Sequence, residues 1–319
     1  MTHTPLRTDA YPAEDWRLIH VVADRGADSV AAALMAVFAA IVAGVLWAEV
    51  EVGFAYRDAS RVLTALGLYR LNGEFARRVQ PALEAVADDA TTVATPLLAE
   101  QMIAADEAPG DGVLDQARGH ARDRTRNLLW FPFAAYMTGQ SVSILRWLIV
   151  KLALMPGNPG DKASILRAAI GLNGQQTRAL VRRMEALTTD GVPWRRVVLV
   201  ARRQAEAQVV TRVARVAANQ SFAWATRAEV ELFRAAGLSP DWSLEWLAIL
   251  DAHTCEVCAE LDGSRVPVQH GFHSERAARE ADYDFNGSVG LPPIHDNCRC
   301  RVILLHKGAF VRQVAPEVA

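Results

Sequence analysis

Apolar residues recur at helical spacing through most of the chain, and the period changes only near the C-terminus. The run from Val30 to Ala48 is apolar on every side, opened by Asp28-Ser29 and closed by Glu49 and Glu51. Helical spacing follows over 59–69 and 75–86, with Asn72-Gly73 between them, and again over 91–103 and 114–129. Trp130-Phe131-Pro132-Phe133 reads as an interruption before a second apolar helix, 134–155, which carries Arg146 and Lys151. Pro156-Gly157-Asn158-Pro159-Gly160 is the firmest stop in the chain. A helix from Asp161 to Ile170 follows, then a basic one over 177–187. After the turn Asp190-Gly191-Val192-Pro193, a long helix opens at Trp194. It runs to Asn219 or on to Ala236, keeping Val209, Val213, Val216 and Phe222 on one face. Beyond Gly237-Leu238-Ser239-Pro240 the texture becomes that of strands, at 244–250 and 301–305.

These elements predict a mainly α N-terminal region followed by a small α+β C-terminal domain. The expected division is 1–156, a variable helical region; 157–236, a basic helical region; and 237–319, the small α+β domain. A length of 319 residues allows more than one core, and 51% hydrophobic with 22% charged residues is a globular composition. The net charge of −2 hides an asymmetry. The first hundred residues are acidic, while arginine dominates from Arg167 to Arg234. Arg195, Arg196, Arg202, Arg203, Arg212 and Arg215 on the long helix are the candidate surface for nucleic acid or an acidic partner. Solvated helix faces would give the same composition.

The run 30–48 is long enough to span a bilayer, but its alanine content and the lack of flanking basic residues argue for burial in protein instead. Asp9, Glu14 and Asp15 stand where a secretory leader would be basic, which argues against export.

All four cysteines fall in two short stretches, Thr254-Cys255-Glu256-Val257-Cys258 and Pro292-Pro293-Ile294-His295-Asp296-Asn297-Cys298-Arg299-Cys300. Two residues between Cys255 and Cys258 let a turn aim both sulfurs at one point. Cys298 and Cys300, two apart, share a face of an extended segment. This is the spacing of a tetrahedral zinc site, with Cys255, Cys258, His295, Cys298 and Cys300 as five candidates for four places. Five good donors favour a closed structural site over a catalytic one. Two disulfides would use the same cysteines, but a chain otherwise free of cysteine suits a reducing compartment. His253, His270 and His273 read as solvated loop histidines. If the two predicted strands pair antiparallel, both cysteine pairs fall at one edge. A metal there would close the polar loop 259–291, which is costly to order otherwise.

The order of residues here resembles the phage Mu protein F-like family of minor head, or head morphogenesis, proteins. The matching residues are Asp251, Thr254, Cys255, Cys258, Leu261-Asp262-Gly263, Pro292-Pro293, His295, Asn297 and Cys298-Arg299-Cys300. Arg234-Ala235-Ala236-Gly237 at the end of the long helix is also similar, so the likeness covers 194–305. One departure is plain. Family members often carry Arg-Thr-Glu in that helix, and here Val216 and Ala217 follow Arg215.

The resemblance implies a non-enzymatic virion component, assembled in the host cytoplasm and located in the head interior or at the portal vertex. Its partners would be the portal protein and the major capsid or scaffold protein, with non-specific DNA contact, and its role head assembly or DNA packaging and ejection. The competing reading is a zinc-dependent nuclease or other hydrolase, with His295, His253 or Asp251 beside the metal.

Overall fold

The computed structural model describes residues 15–248, 250, 254–276, 288–294, 298 and 300–310. Nine α-helices and five short strands follow in order among them. The mainly helical N-terminal region and the small C-terminal sheet region are both present. The helices are α1 (Asp15–Ala43), α2 (Trp47–Ala55), α3 (Ala59–Leu66), α4 (Leu71–Ala104), α5 (Val113–Leu154), α6 (Pro159–Ala169), α7 (Gly174–Thr189) and α8 (Trp194–Ala235). After them come β1 (Trp242–Leu247), α9 (Glu256–Leu261), β2 (Arg265–Pro267), β3 (Phe272–His273), β4 (Ser288–Gly290) and β5 (Arg301–His306).

Several helices are longer than the sequence pattern suggests. The spacing of 59–69 and 75–86 resolves into α3, a single 3-10 turn and the start of α4. Helix α4 then runs through Asn72-Gly73, and α5 through Pro132. The expected interruption at 130–133 is therefore absent. The physical reason is placement. Pro81 and Pro96 in α4 and Pro132 in α5 all lie on exposed positions, where the carbonyl each proline leaves unpaired can turn to water. Buried residues continue unbroken through the same segments: Leu71, Phe75, Val79 and Leu83 in α4, and Trp130, Phe133, Ala134 and Met137 in α5.

The first apolar run also differs. Helix α1 begins well before Val30 and stops at Ala43, and the chain bends at Gly44-Val45-Leu46 before α2. Its segment Ile19–Ala43 is long and apolar enough to cross a bilayer by length and composition. Its large residues nonetheless make one stripe: Val30, Leu34, Val37, Phe38 and Ile41 are buried at spacings of three and four.

The chain forms two compact units. One comprises 1–27, 83–129 and 218–319; the other comprises 28–82 and 130–217. Helices α1, α4, α5 and α8 contribute to both. The stop at 156–160 falls between α5 and α6, inside the second unit.

The second unit is all helix. Phe38, Phe75 and Phe133 meet edge to face, with ring centroids 6.3 and 6.4 Å apart. Asp58, Asn158 and Asn173 cap α3, α6 and α7 by accepting from the N–H three residues on. The bend after α1 is tied by Arg70, whose Nη2 donates to the Gly44 carbonyl at 2.6 Å.

The first unit packs helical segments on a three-stranded sheet of order β2-β1-β5, all antiparallel. Strand β1 pairs β5 from Trp242 opposite His306 to Leu247 opposite Arg301. The pairing expected between the two predicted strands is thus present, and the exit of β1 lies beside the entry of β5. The loop between them is not featureless. It holds α9, β2 and the two-stranded β3-β4 ladder, each too short to show a period in sequence. Trp242, Leu244, Trp246, Val302 and Leu304 join Leu98, Val230 and Phe233 in one core.

Charged groups inside this unit are paired. Arg301 is almost fully buried and its guanidinium lies 3.4 Å from Glu229 of α8. Burial pushes the Glu229 carboxyl up, and Arg301 opposes that shift. Glu231, whose side chain has no exposed area, meets Arg234 at 2.7 Å, Arg124 at 2.8 Å and Arg227 at 3.4 Å. Arg234 also donates to the carbonyls of Val268 and His270, holding the β2–β3 connection to α8. Replacing one partner of a buried pair strands the other charge without water. Glu229→Ala should therefore lower the stability of this unit by about 3–5 kcal/mol. Urea unfolding followed by tryptophan fluorescence measures it, since Trp224, Trp242 and Trp246 are all buried there.

Candidate metal centre

Strand exit and strand entry bring three sulfurs together. Cys258, Cys298 and Cys300 are all buried, and their sulfurs lie within 4.8 Å of one another. Cys258 Sγ and Cys298 Sγ are 3.8 Å apart. A disulfide needs about 2.05 Å, so these are separate thiols, and all four cysteines are free. A tetrahedral ion with metal–sulfur bonds of about 2.3 Å has edges of about 3.8 Å, which is the Cys258–Cys298 spacing. This buried three-cysteine cluster can hold a metal ion.

Each sulfur is placed by a local device. Cys258 is in the first turn of α9, a six-residue helix whose N-cap is Cys255. The Cys255 sulfur accepts from the Cys258 N–H at 3.2 Å. The Leu-Asp-Gly stretch closes the same turn onto β1. Leu261 is buried, and Asp262 Oδ1 accepts from the Ala248 N–H at 2.8 Å. Gly263 takes a φ of +74, where a side chain is strained, and its N–H donates 2.8 Å to the Trp246 carbonyl. Cys300 immediately precedes β5, and the peptide between Pro292 and Pro293, at the head of the second cysteine stretch, is cis.

The electrostatics are those of crowded thiols. Hydrogen bonding with Cys298 and Cys300, reinforced by burial, pushes Cys258 far above the ordinary thiol range. The Cys258 S–H pulls Cys300 down, but its hydrogen bond with Cys298, burial and the neighbouring charge outweigh this and leave it pushed up to about 12. Thiolates at this spacing repel one another, so deprotonating all three calls for a cation among them. The indole N–H of Trp246 is buried and makes no full hydrogen bond, yet it lies close enough to Cys300 to favour the thiolate. A donor in that position suits a metal-bound sulfur.

Of the five ligand candidates, the structure brings Cys258, Cys298 and Cys300 together. Cys255 is only half buried and stands outside that triple, engaged as the cap of α9. His295 lies outside the described residues, as do Asp251 and His253. His270 and His273 are exposed, as read from the sequence.

The arginine candidates divide. Arg195, Arg196, Arg202, Arg203 and Arg215 are exposed on α8, opposite buried Val197, Ala201, Ala205, Val209 and Val213. Arg202 lies 3.7 Å from Glu206, one turn on. Arg212 does not belong with them. It is buried, its Nη1 donating to the Gly171 carbonyl at 2.6 Å, and burial lowers its affinity for the proton. Its periodicity matched the buried stripe of α8 rather than the basic face. Sequence reasoning also passed over Glu229, Glu231 and Arg301. A lone arginine opening an apolar strand, as in Arg301-Val302-Ile303-Leu304-Leu305, was the available signal for a buried pair.

Comparison of the chain with protein-family models, with curated proteins and with solved structures finds no match.

Removing a sulfur should cost structure along with the ion, because ion binding and folding are one equilibrium at such a site. Cys258→Ser and Cys300→Ser should each abolish zinc binding at the cluster and expose Trp246, reported by a red-shifted emission. Unchanged metal content and emission in both variants would show that the triple does not bind.

Proposed function

We propose that this chain is a minor head protein of a tailed phage or phage-like particle, associated with the portal and acting in head assembly or in DNA packaging and ejection. The observation that carries the reading is the geometry of its most specific motif. The two cysteine stretches that resemble the phage Mu F-like family are 40 residues apart between Cys258 and Cys298, and their sulfurs meet at the joined ends of β1 and β5. The Leu261-Asp262-Gly263 stretch of the same resemblance serves that junction directly.

In this reading the ion is zinc, bound by Cys258, Cys298 and Cys300, with Cys255 or His295 as the fourth donor. Soft thiolates in a tetrahedral set select zinc among the common divalent ions. A closed four-ligand site leaves no position for substrate, so the metal acts as a fastener. The partners are the portal protein, with the major capsid or scaffold protein as further contacts, and the place of action is the virion.

The exposed arginines of α8 supply the second contact surface. Arg195, Arg196, Arg202, Arg203 and Arg215 present guanidinium groups with little acidic compensation beyond Glu206. They suit phosphate oxygens or an acidic protein face, and contacts of that kind carry no base sequence information.

Co-expression with the portal protein of the same particle tests the assignment. A complex that co-purifies through gel filtration is expected, and a chain that stays separate at micromolar concentration would contradict it. For the basic surface, Arg202→Glu with Arg203→Glu should weaken DNA binding several-fold and reduce the slope of log K against log salt by about two. An unchanged slope would remove that face from DNA contact. Plasmid cleavage with added Mg²⁺, Mn²⁺ or Zn²⁺ that is lost in His295→Ala would favour the hydrolase reading instead.

A further inference from the structure

A second group of metal-type donors lies at the other end of the same strand pair. Glu107, Asp241 and His306 each offer a ligand atom, and these atoms all lie within 4.8 Å of one another. His306 is the last residue of β5 and Asp241 immediately precedes β1. The Lys307 N–H donates to the Asp241 carbonyl at 2.8 Å, which fixes the two termini side by side. Glu107 arrives from the end of α4. There Asp106 takes the left-handed conformation at φ +64, while the N–H groups of Asp106 and Glu107 close back on Ile103 and Met102. Glycine or a short polar residue is usual at that position of a helix end, and the left-handed turn at Asp106 brings the chain round to Glu107.

The carboxylate is already oriented. Ser239 Oγ donates to Glu107 Oε1 at 2.7 Å, and the Trp242 indole N–H donates to Oε2 at 2.8 Å. Those two hydrogen bonds, from Ser239 first and Trp242 second, hold the Glu107 carboxyl below the usual carboxylate range. Each oxygen keeps a further lone pair. The His306 ring packs on Trp242 with centroids 4.9 Å apart. Its side chain is only 9% exposed, and its Nε2 is buried with no hydrogen-bond partner, 3.5 Å from Glu107 Oε1. A buried imidazole nitrogen that makes no hydrogen bond and lies 3.5 Å from a carboxylate, with a second carboxylate in the same cluster, is an arrangement a cation completes.

We infer that Glu107, Asp241 and His306 form a second metal site, for a divalent cation of the manganese or zinc type, distinct from the cysteine cluster. Two carboxylates and an imidazole suit such ions, whereas the sulfur cluster selects soft ones. Three protein donors leave the remaining positions to water on the side of Asp241, which is half exposed. Lys307, 3.5 Å from Asp241, is the competing cation. The bound ion fastens the end of α4 to the outer end of the β1–β5 pair.

Manganese separates this site from the thiolates, for which it has little preference. The full chain, as purified, is titrated with Mn²⁺, and free Mn²⁺ is read by its electron paramagnetic resonance signal. One Mn²⁺ per chain is expected. Asp241→Asn, at a position exposed enough to leave the fold intact, should weaken binding at least tenfold, and His306→Gln should do the same. No uptake at millimolar Mn²⁺, or equal affinity in the wild type and Asp241→Asn, would overturn the site and leave these residues an ion-pair network.

Discussion

Strands β1 and β5 pair side by side, and the sulfur cluster lies where the exit of one meets the entry of the other. The pair is six residues long and carries a 53-residue excursion, 248–300, between its members. Ordering so long a connection is entropically costly, and the short α9, β2, β3 and β4 offer little burial of their own. Three sulfurs from opposite ends of the excursion meet at its base. A cation bound there would stabilise the closed loop in the folded state alone, so its binding free energy would become folding free energy.

The rest of the first unit is arranged to support that junction. Helix α8 reaches β5 through Glu229 and Arg301 and the β2–β3 connection through Arg234. Beneath the sulfurs, Trp246 packs edge to face on Phe272, with centroids 5.2 Å apart, and offers its indole N–H to Cys300. The deepest charges are carried as pairs, Arg301 with Glu229 and Arg234 with Glu231. The second unit solves a simpler problem. Its helices are fixed by capping side chains and by interlocked aromatic rings, with Arg212 spent internally on the Gly171 carbonyl.

How much of this was legible in the sequence depended on the range of the signal. Strands β1 and β5, their neighbourhood and the convergence of cysteines could be read, because apolar runs and cysteine spacing are local and strong. Helix continuity was misread at Pro132, because a proline rule takes no account of which side of the helix meets water. Arg212 was grouped with the basic face because composition does not distinguish a buried arginine from an exposed one. Its place in the buried stripe with Val209 and Val213 was the discriminating clue. The Glu107, Asp241 and His306 group could not be read at all. Glu107 lies more than a hundred residues before Asp241, and Asp241 and His306 become neighbours only through the pairing of β1 with β5.

The most direct test of the account is native-state hydrogen exchange with and without metal. With the ion bound, the amides of Glu245 and Ile303, opposite each other in the β1–β5 ladder, should exchange only through global opening of the unit. Removing the ion with a chelator under reducing conditions should release both amides together, while the capped helices α6 and α7 keep their protection. Equal protection of Glu245 and Ile303 in the two states would contradict the claim that a metal joins the strands.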